Sequence, residues 1–125
     1  MIERERVIKN YVEGYNTFDI NKMTADFSDI IVFENIQNGE VNMTLTGIDE
    51  FIEQAEKAKT YFSIRSQTIT AFHHFDSKTE VEINYYAVLA TDFPNGMKKG
   101  DELNLKGKSV FEISEGKILK LTDIS

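Results

Sequence analysis

The chain has 125 residues, no cysteine, 41% hydrophobic content and a formal net charge of -7. Disulfides and thiolate metal sites are therefore excluded, and an acidic chain whose basic residues are scattered lacks the stripe that a nucleic-acid partner requires. The length suits one domain, residues 1–125, and no apolar run approaches the roughly 20 residues of a membrane span. Residues 1–20 alternate charge with helix-spaced apolars where a signal peptide would carry an apolar block, so a soluble cytoplasmic protein with no membrane partner is expected.

Residues 2–18 place Val7, Ile8, Tyr11, Val12, Tyr15 and Phe18 on one stripe, which predicts an amphipathic helix. Asp19 is a candidate N-cap for a short second helix with Ile20, Met23 and Phe27 on one face. Residues 30–36 are β-branched and aromatic, Asn38-Gly39 is a strong hairpin signal, and residues 41–46 return as the partner strand. A third helix begins at Thr46-Gly47 and turns Ile48, Phe51, Ile52 and Ala55 inward. From residue 64 onward the pattern is almost all strand: 64–75, 81–91, and a closing hairpin over 103–124 that turns at Glu115-Gly116. Early helices followed by long antiparallel strands define an α+β domain.

Period-two alternation assigns the faces. Val81, Ile83, Tyr85, Ala87 and Leu89 share one side, as do Leu105, Gly107, Ser109, Phe111 and Ile113. This odd-numbered face is the core face, and its mid-strand residues Ala87, Gly107 and Ser109 are small, which predicts a cavity there. The opposite face keeps Tyr86, Val88, Ala90 and Val110 among charged residues, and a homodimer through that outer sheet face would cover them.

Four segments carry a resemblance to a known family: Tyr11-Val12 to Phe18-Asp19, Phe27-Ser28-Asp29, Thr46-Gly47-Ile48-Asp49-Glu50-Phe51, and Ser109-Val110-Phe111-Glu112 to Glu115-Gly116-Lys117-Ile118. In order and spacing the chain resembles the nuclear transport factor 2-like superfamily, and within it the SnoaL-like group that includes polyketide cyclases. The resemblance implies a cone-shaped barrel: a strongly curved, mostly antiparallel sheet wrapped on three N-terminal helices around an internal pocket. It hosts isomerases, cyclases, dehydratases and non-enzymatic binders. Among the enzymes of that superfamily, ketosteroid isomerase uses a carboxylate base beside an oxyanion hole of a tyrosine and a protonated aspartate. By these motifs its tyrosine falls on Tyr11, its base on or next to Glu34, and its aspartate on Ser109, a departure that leaves only a hydroxyl donor. Asp123 occupies the place where SnoaL-like proteins often carry an acidic residue.

The residues themselves leave two orientations open for the first strand: Glu34 inward in an apolar cone, with its pKa raised toward a general base's range, or Phe33 inward and Glu34 in water. Asp123 either enters the pocket from the last strand or frays into solvent near the terminus. Tyr11 and Tyr15, four apart on the buried stripe, either aim at one cavity, with Glu34, Asp123 or Ser109 as hydroxyl partners, or are core tyrosines hydrogen-bonded to backbone. The expected catalytic set is Tyr11, Glu34 and Asp123, and the expected lining is Tyr15, Phe51, Tyr85, Ala87, Leu105, Gly107, Ser109, Phe111 and Leu121. Adjacent His73 and His74 face opposite sides of a strand and cannot share a metal, so no metal or cofactor is expected. Three functions fit: a pocket protein for a neutral, largely apolar small molecule; a cofactor-independent acid/base isomerase or cyclase for a carbonyl-bearing cyclic substrate; or a non-enzymatic protein-interaction module.

Overall fold

The computed structural model describes residues 2–125. Helices α1 (Ile2–Asn16), α2 (Ile20–Thr24) and α3 (Ile48–Lys59) accompany six strands, β1 (Phe27–Gln37), β2 (Glu40–Thr46), β3 (Phe62–His74), β4 (Lys78–Leu89), β5 (Glu102–Ser114) and β6 (Lys117–Ile124). The strands form one sheet in the order β2-β1-β6-β5-β4-β3. All neighbours are antiparallel except β1 and β6, which run parallel.

Local chemistry accounts for the element boundaries. The Asp19 side chain accepts a hydrogen bond from the Lys22 amide at 3.0 Å and so caps α2. Asn38 and Gly39 both adopt positive φ in the β1–β2 turn, as do Glu115 and Gly116 in the β5–β6 turn, the geometry that matches the strands' own twist. The end of α1 is less ordinary. The Asp19 amide reaches the Gly14 carbonyl at 2.8 Å and the Phe18 amide reaches the Tyr15 carbonyl at 3.3 Å. These two bonds form a Schellman closure with Phe18, at φ 57°, in the left-handed position usually given to glycine.

The odd-numbered face is the core face on β4 and β5: Val81, Ile83, Ala87, Leu89, Ser109, Phe111 and Ile113 are all buried. Val7, Ile8, Tyr11 and Val12 of α1 and Phe51 and Ala55 of α3 pack against that side. Each of the larger apolar side chains among them contributes about 1.5–3 kcal/mol when removed from water. The sheet is strongly bent. Met43 and Leu45 of β2 and Phe62 and Arg65 of β3, from opposite ends of the strand order, line the same cavity. Flat sheets would hold those ends about 24 Å apart at the usual 4.8 Å spacing.

The parallel β1–β6 pairing matters most for the site. β6 is inserted between β1 and β5, so Asp123 lies opposite Asn35 on one side and Ser109 on the other. Beyond it the Ser125 amide donates to the Ile36 carbonyl at 2.9 Å. Although Asp123 is near the terminus, its strand is held from both sides.

Candidate functional site

Two cavities meet at Asp123. The larger, about 450 Å³, lies between α1, α3 and the inner faces of β1, β2, β3 and β6. Met23, Phe33, Met43, Leu45, Phe51, Ala55, Ala58 and Phe62 make its apolar wall, and Tyr11, Tyr15, Asn35, Asn42, Gln54, Arg65 and Asp123 supply its polar groups. A smaller one, about 200 Å³, shares Tyr15, Asn35 and Asp123 and continues past Tyr85, Leu105, Gly107 and Ser109.

The Ser109 hydroxyl donates to Asp123 Oδ1 at 2.7 Å. Burial nonetheless raises the carboxyl from 3.8 to about 6, and the serine bond recovers only part of that cost. Tyr15 and Tyr85 share a hydroxyl–hydroxyl bond of 2.8 Å. Tyr11 has no hydrogen-bonding partner among the described residues, yet none of their buried side-chain polar atoms lacks one, so its hydroxyl opens onto the cavity it lines. Burial holds Tyr11 well above the ordinary phenol range and the nearby Asp123 charge adds to the rise, which keeps this hydroxyl a donor.

Arg65 is the residue that sequence reasoning missed. It is 3% exposed, and its Nε donates to the Tyr15 carbonyl at 2.8 Å, capping the last turn of α1, which has no basic residue of its own. Its guanidinium carbon lies 3.8 Å from the Tyr15 ring centre and 4.5 Å from that of Phe18. The left-handed Phe18 is thereby explained, because its ring helps hold the arginine. A signal existed in the sequence: Arg65 shares strand parity with Ile69, on the side where a charge should not stand without a reason. Asn35 and Asn42, joined at 2.8 Å, were missed too, since each sits among residues of mixed polarity.

The predicted residues divide sharply. Tyr11, Tyr15, Phe51 and Asp123 line the larger cavity, while Tyr85, Leu105, Gly107 and Ser109 line the smaller, with Leu105 at its exposed mouth. Glu34 requires correction: Phe33 is the inward residue, and Glu34 points to the outer face, where it pairs with Lys120 at 3.0 Å. Ala87, Phe111 and Leu121 are also corrected, being fully buried in the packed core and lining neither cavity. Ala87 stands directly opposite Arg65 in the β3–β4 ladder, so its small size leaves room for the arginine. Gly107 touches the smaller cavity, but its missing side chain serves the backbone: a Cβ there would come within 2.7 Å of the Ile124 carbonyl oxygen. His73 bonds Glu82, and His74 bonds Glu5 and Thr79, all away from both cavities. Among the described residues no three His, Cys, Asp or Glu side chains are grouped to hold a metal.

No protein-family model matches the sequence, and no curated protein does. Solved structures do match. A proposed polyketide cyclase from Xanthomonas campestris superposes with a TM-score of 0.84 at 16% identity, covering 98% of this chain and 90% of that one. A nuclear transport factor 2-like protein of unknown function from Burkholderia pseudomallei gives 0.79 at 16% identity over 98% and 90%. This chain has the nuclear transport factor 2-like fold. The same fold superposes on an epoxide hydrolase from M. tuberculosis with a TM-score of 0.77 at 15% identity, over 98% and 82%. Neighbours of such different chemistry share the nuclear transport factor 2-like fold and leave its use to the residues of each chain. No helix among the described residues is long and apolar enough to cross a membrane.

Proposed function

We propose that the larger cavity binds a small, largely apolar molecule bearing a carbonyl and catalyses cofactor-independent proton transfer on it, the chemistry of an isomerase or cyclase. One observation carries this reading: Asp123, a carboxyl raised to about 6, stands in an apolar cavity that also presents the Tyr11 hydroxyl. A base of that strength is ionised at neutral pH yet far more basic than a surface aspartate. It takes a proton from the carbon beside the carbonyl. The electron pair of that C–H bond forms the carbon–carbon double bond of the enolate while the carbonyl π pair moves onto oxygen, where Tyr11 donates a hydrogen bond. Return of the proton to another carbon completes an isomerisation; attack of the enolate carbon on a second carbonyl of the same molecule, followed by return of the proton to the resulting alkoxide, completes a cyclisation. The Tyr15–Tyr85 pair and Ser109 hold the two walls around Asp123.

Incubation with cyclic ketones in D2O tests this directly. Wild-type protein is expected to accelerate deuterium incorporation beside the carbonyl, with a rate that rises through about pH 6, and Asp123→Asn is expected to lose the acceleration. Equal exchange by wild type and Asp123→Asn would refute it.

A further inference from the structure

Arg65 is nine-tenths buried with no acidic partner. None of the ion pairs among the described residues includes it, and Asp123, on the same cavity, is not bonded to it. A guanidinium carries five N–H donors. One goes to the Tyr15 carbonyl and one makes a weak 4.0 Å approach to Met23 Sδ, which leaves three without a protein acceptor. No buried side-chain nitrogen or oxygen among the described residues lacks a partner, so the unpaired Nη1 edge opens onto the cavity that Arg65 lines. The rings of Tyr15 and Phe18 and the end of α1 fix the group and offset part of its desolvation, but none of them is an anion.

From this geometry we infer that the cavity's ligand is itself an anion, a largely apolar molecule whose carboxylate, or a similarly delocalised oxyanion, docks on the free edge of Arg65. The inference rests on the cavity being a substrate site. It places the charged end of the ligand at the β3 wall and its reacting carbon toward Asp123 on β6. A planar fork suits a planar carboxylate, and a desolvated charge-assisted pair is among the stronger polar contacts a protein makes. The chain's overall acidity does not oppose it, because the cation is inside the cavity and the surface charges are screened by solvent.

Titration calorimetry with 2-naphthoate and its neutral isostere 2-naphthamide at pH 7.5 tests the assignment. Wild-type protein is expected to prefer the carboxylate by roughly tenfold to a hundredfold. Arg65→Met is expected to abolish the preference, and Arg65→Lys to keep part of it. Asp123→Asn should retain or strengthen the preference while losing deuterium exchange, so failure of the catalytic reading and failure of this one are separable. Because Arg65 also caps α1, a variant can lose the fold. In that case the guanidinium 15N resonance of Arg65 in the wild type decides, and it should shift with naphthoate and not with naphthamide. Equal affinity for the two probes, no naphthoate binding at millimolar concentration, or a preference that survives in Arg65→Met would overturn the inference.

Discussion

Asp123→Asn should make the protein more stable at neutral pH while disabling it. Burial raises the folded carboxyl from 3.8 to about 6, whereas in the unfolded chain it titrates near 3.8. Between those values the folded state holds more proton than the unfolded state, so this group's contribution to stability is fully present below about pH 4, falls as pH rises, and is lost above about pH 6. The rise corresponds to at most about 3 kcal/mol of penalty at pH 7.5, and contact with cavity solvent lowers that toward about 1 kcal/mol. Asparagine removes the charge but keeps an oxygen to accept from the Ser109 hydroxyl. Urea denaturation of both proteins at pH 4, 5, 6 and 7.5 isolates the effect, because every other titrating group is common to the pair. The variant is expected to match the wild type at pH 4 and exceed it by about 1–3 kcal/mol at pH 7.5, or about 4 °C in melting temperature per kcal/mol for a domain of this size. A stability difference independent of pH, or a variant less stable at pH 7.5, would refute the desolvated, ionising carboxylate and with it the proposed base.

Tyr11→Phe removes the open hydroxyl but not the ring packed on Phe27 and Phe111, so exchange should slow roughly tenfold to a thousandfold while denaturation midpoints stay close to wild type. Glu34→Gln breaks only the half-exposed pair with Lys120, and both exchange rate and stability should hold, the latter within about 0.5 kcal/mol. Gly107→Ala drives a methyl into the Ile124 carbonyl and should cost about 1–3 kcal/mol, with a further loss of exchange because Asp123 is on the displaced strand. On the outer face, Ile64 is 53% exposed and stands opposite Val88. We expect sedimentation to show a homodimer through this face, and Val88→Asp to convert it to monomer.

Strand parity was readable on β4 and β5 because each has one face packed against helices, so branched and aromatic residues recur at every second position. On β1 it was not. Ile30, Val32 and Ile36 share the parity of Glu34, which left an inward carboxylate open beside an inward Phe33, but Ile30 is 75% exposed and it is Phe33 that reaches the cavity. Buried Phe27 and Ile31 share the odd parity of Phe33 and Asn35, so the inward face of β1 is odd throughout, but apolar β-branched residues stand on both of its faces and mask the alternation. Asp123 was legible as a candidate but not as one held at the cavity, since the parallel pairing that secures it joins residues about 90 apart in sequence and leaves no local pattern.

The small residues of the core face on β4 and β5 had a purpose other than the space they suggested. The larger cavity is walled by β1, β2, β3, β6 and helices, while Ala87 answers Arg65 and Gly107 admits the Ile124 carbonyl. Both are accommodations for neighbouring chain, and both act on the site through it. Gly107 lets β6 close against β5, Ser109 then meets Asp123 across the same ladder, and the carboxylate is fixed at the junction of the two cavities. A methyl group added at Gly107 and one added to the side chain of Ala87 would thus differ in kind. The first moves the acid, the second crowds the cation, and the chemistry proposed here needs the two held apart.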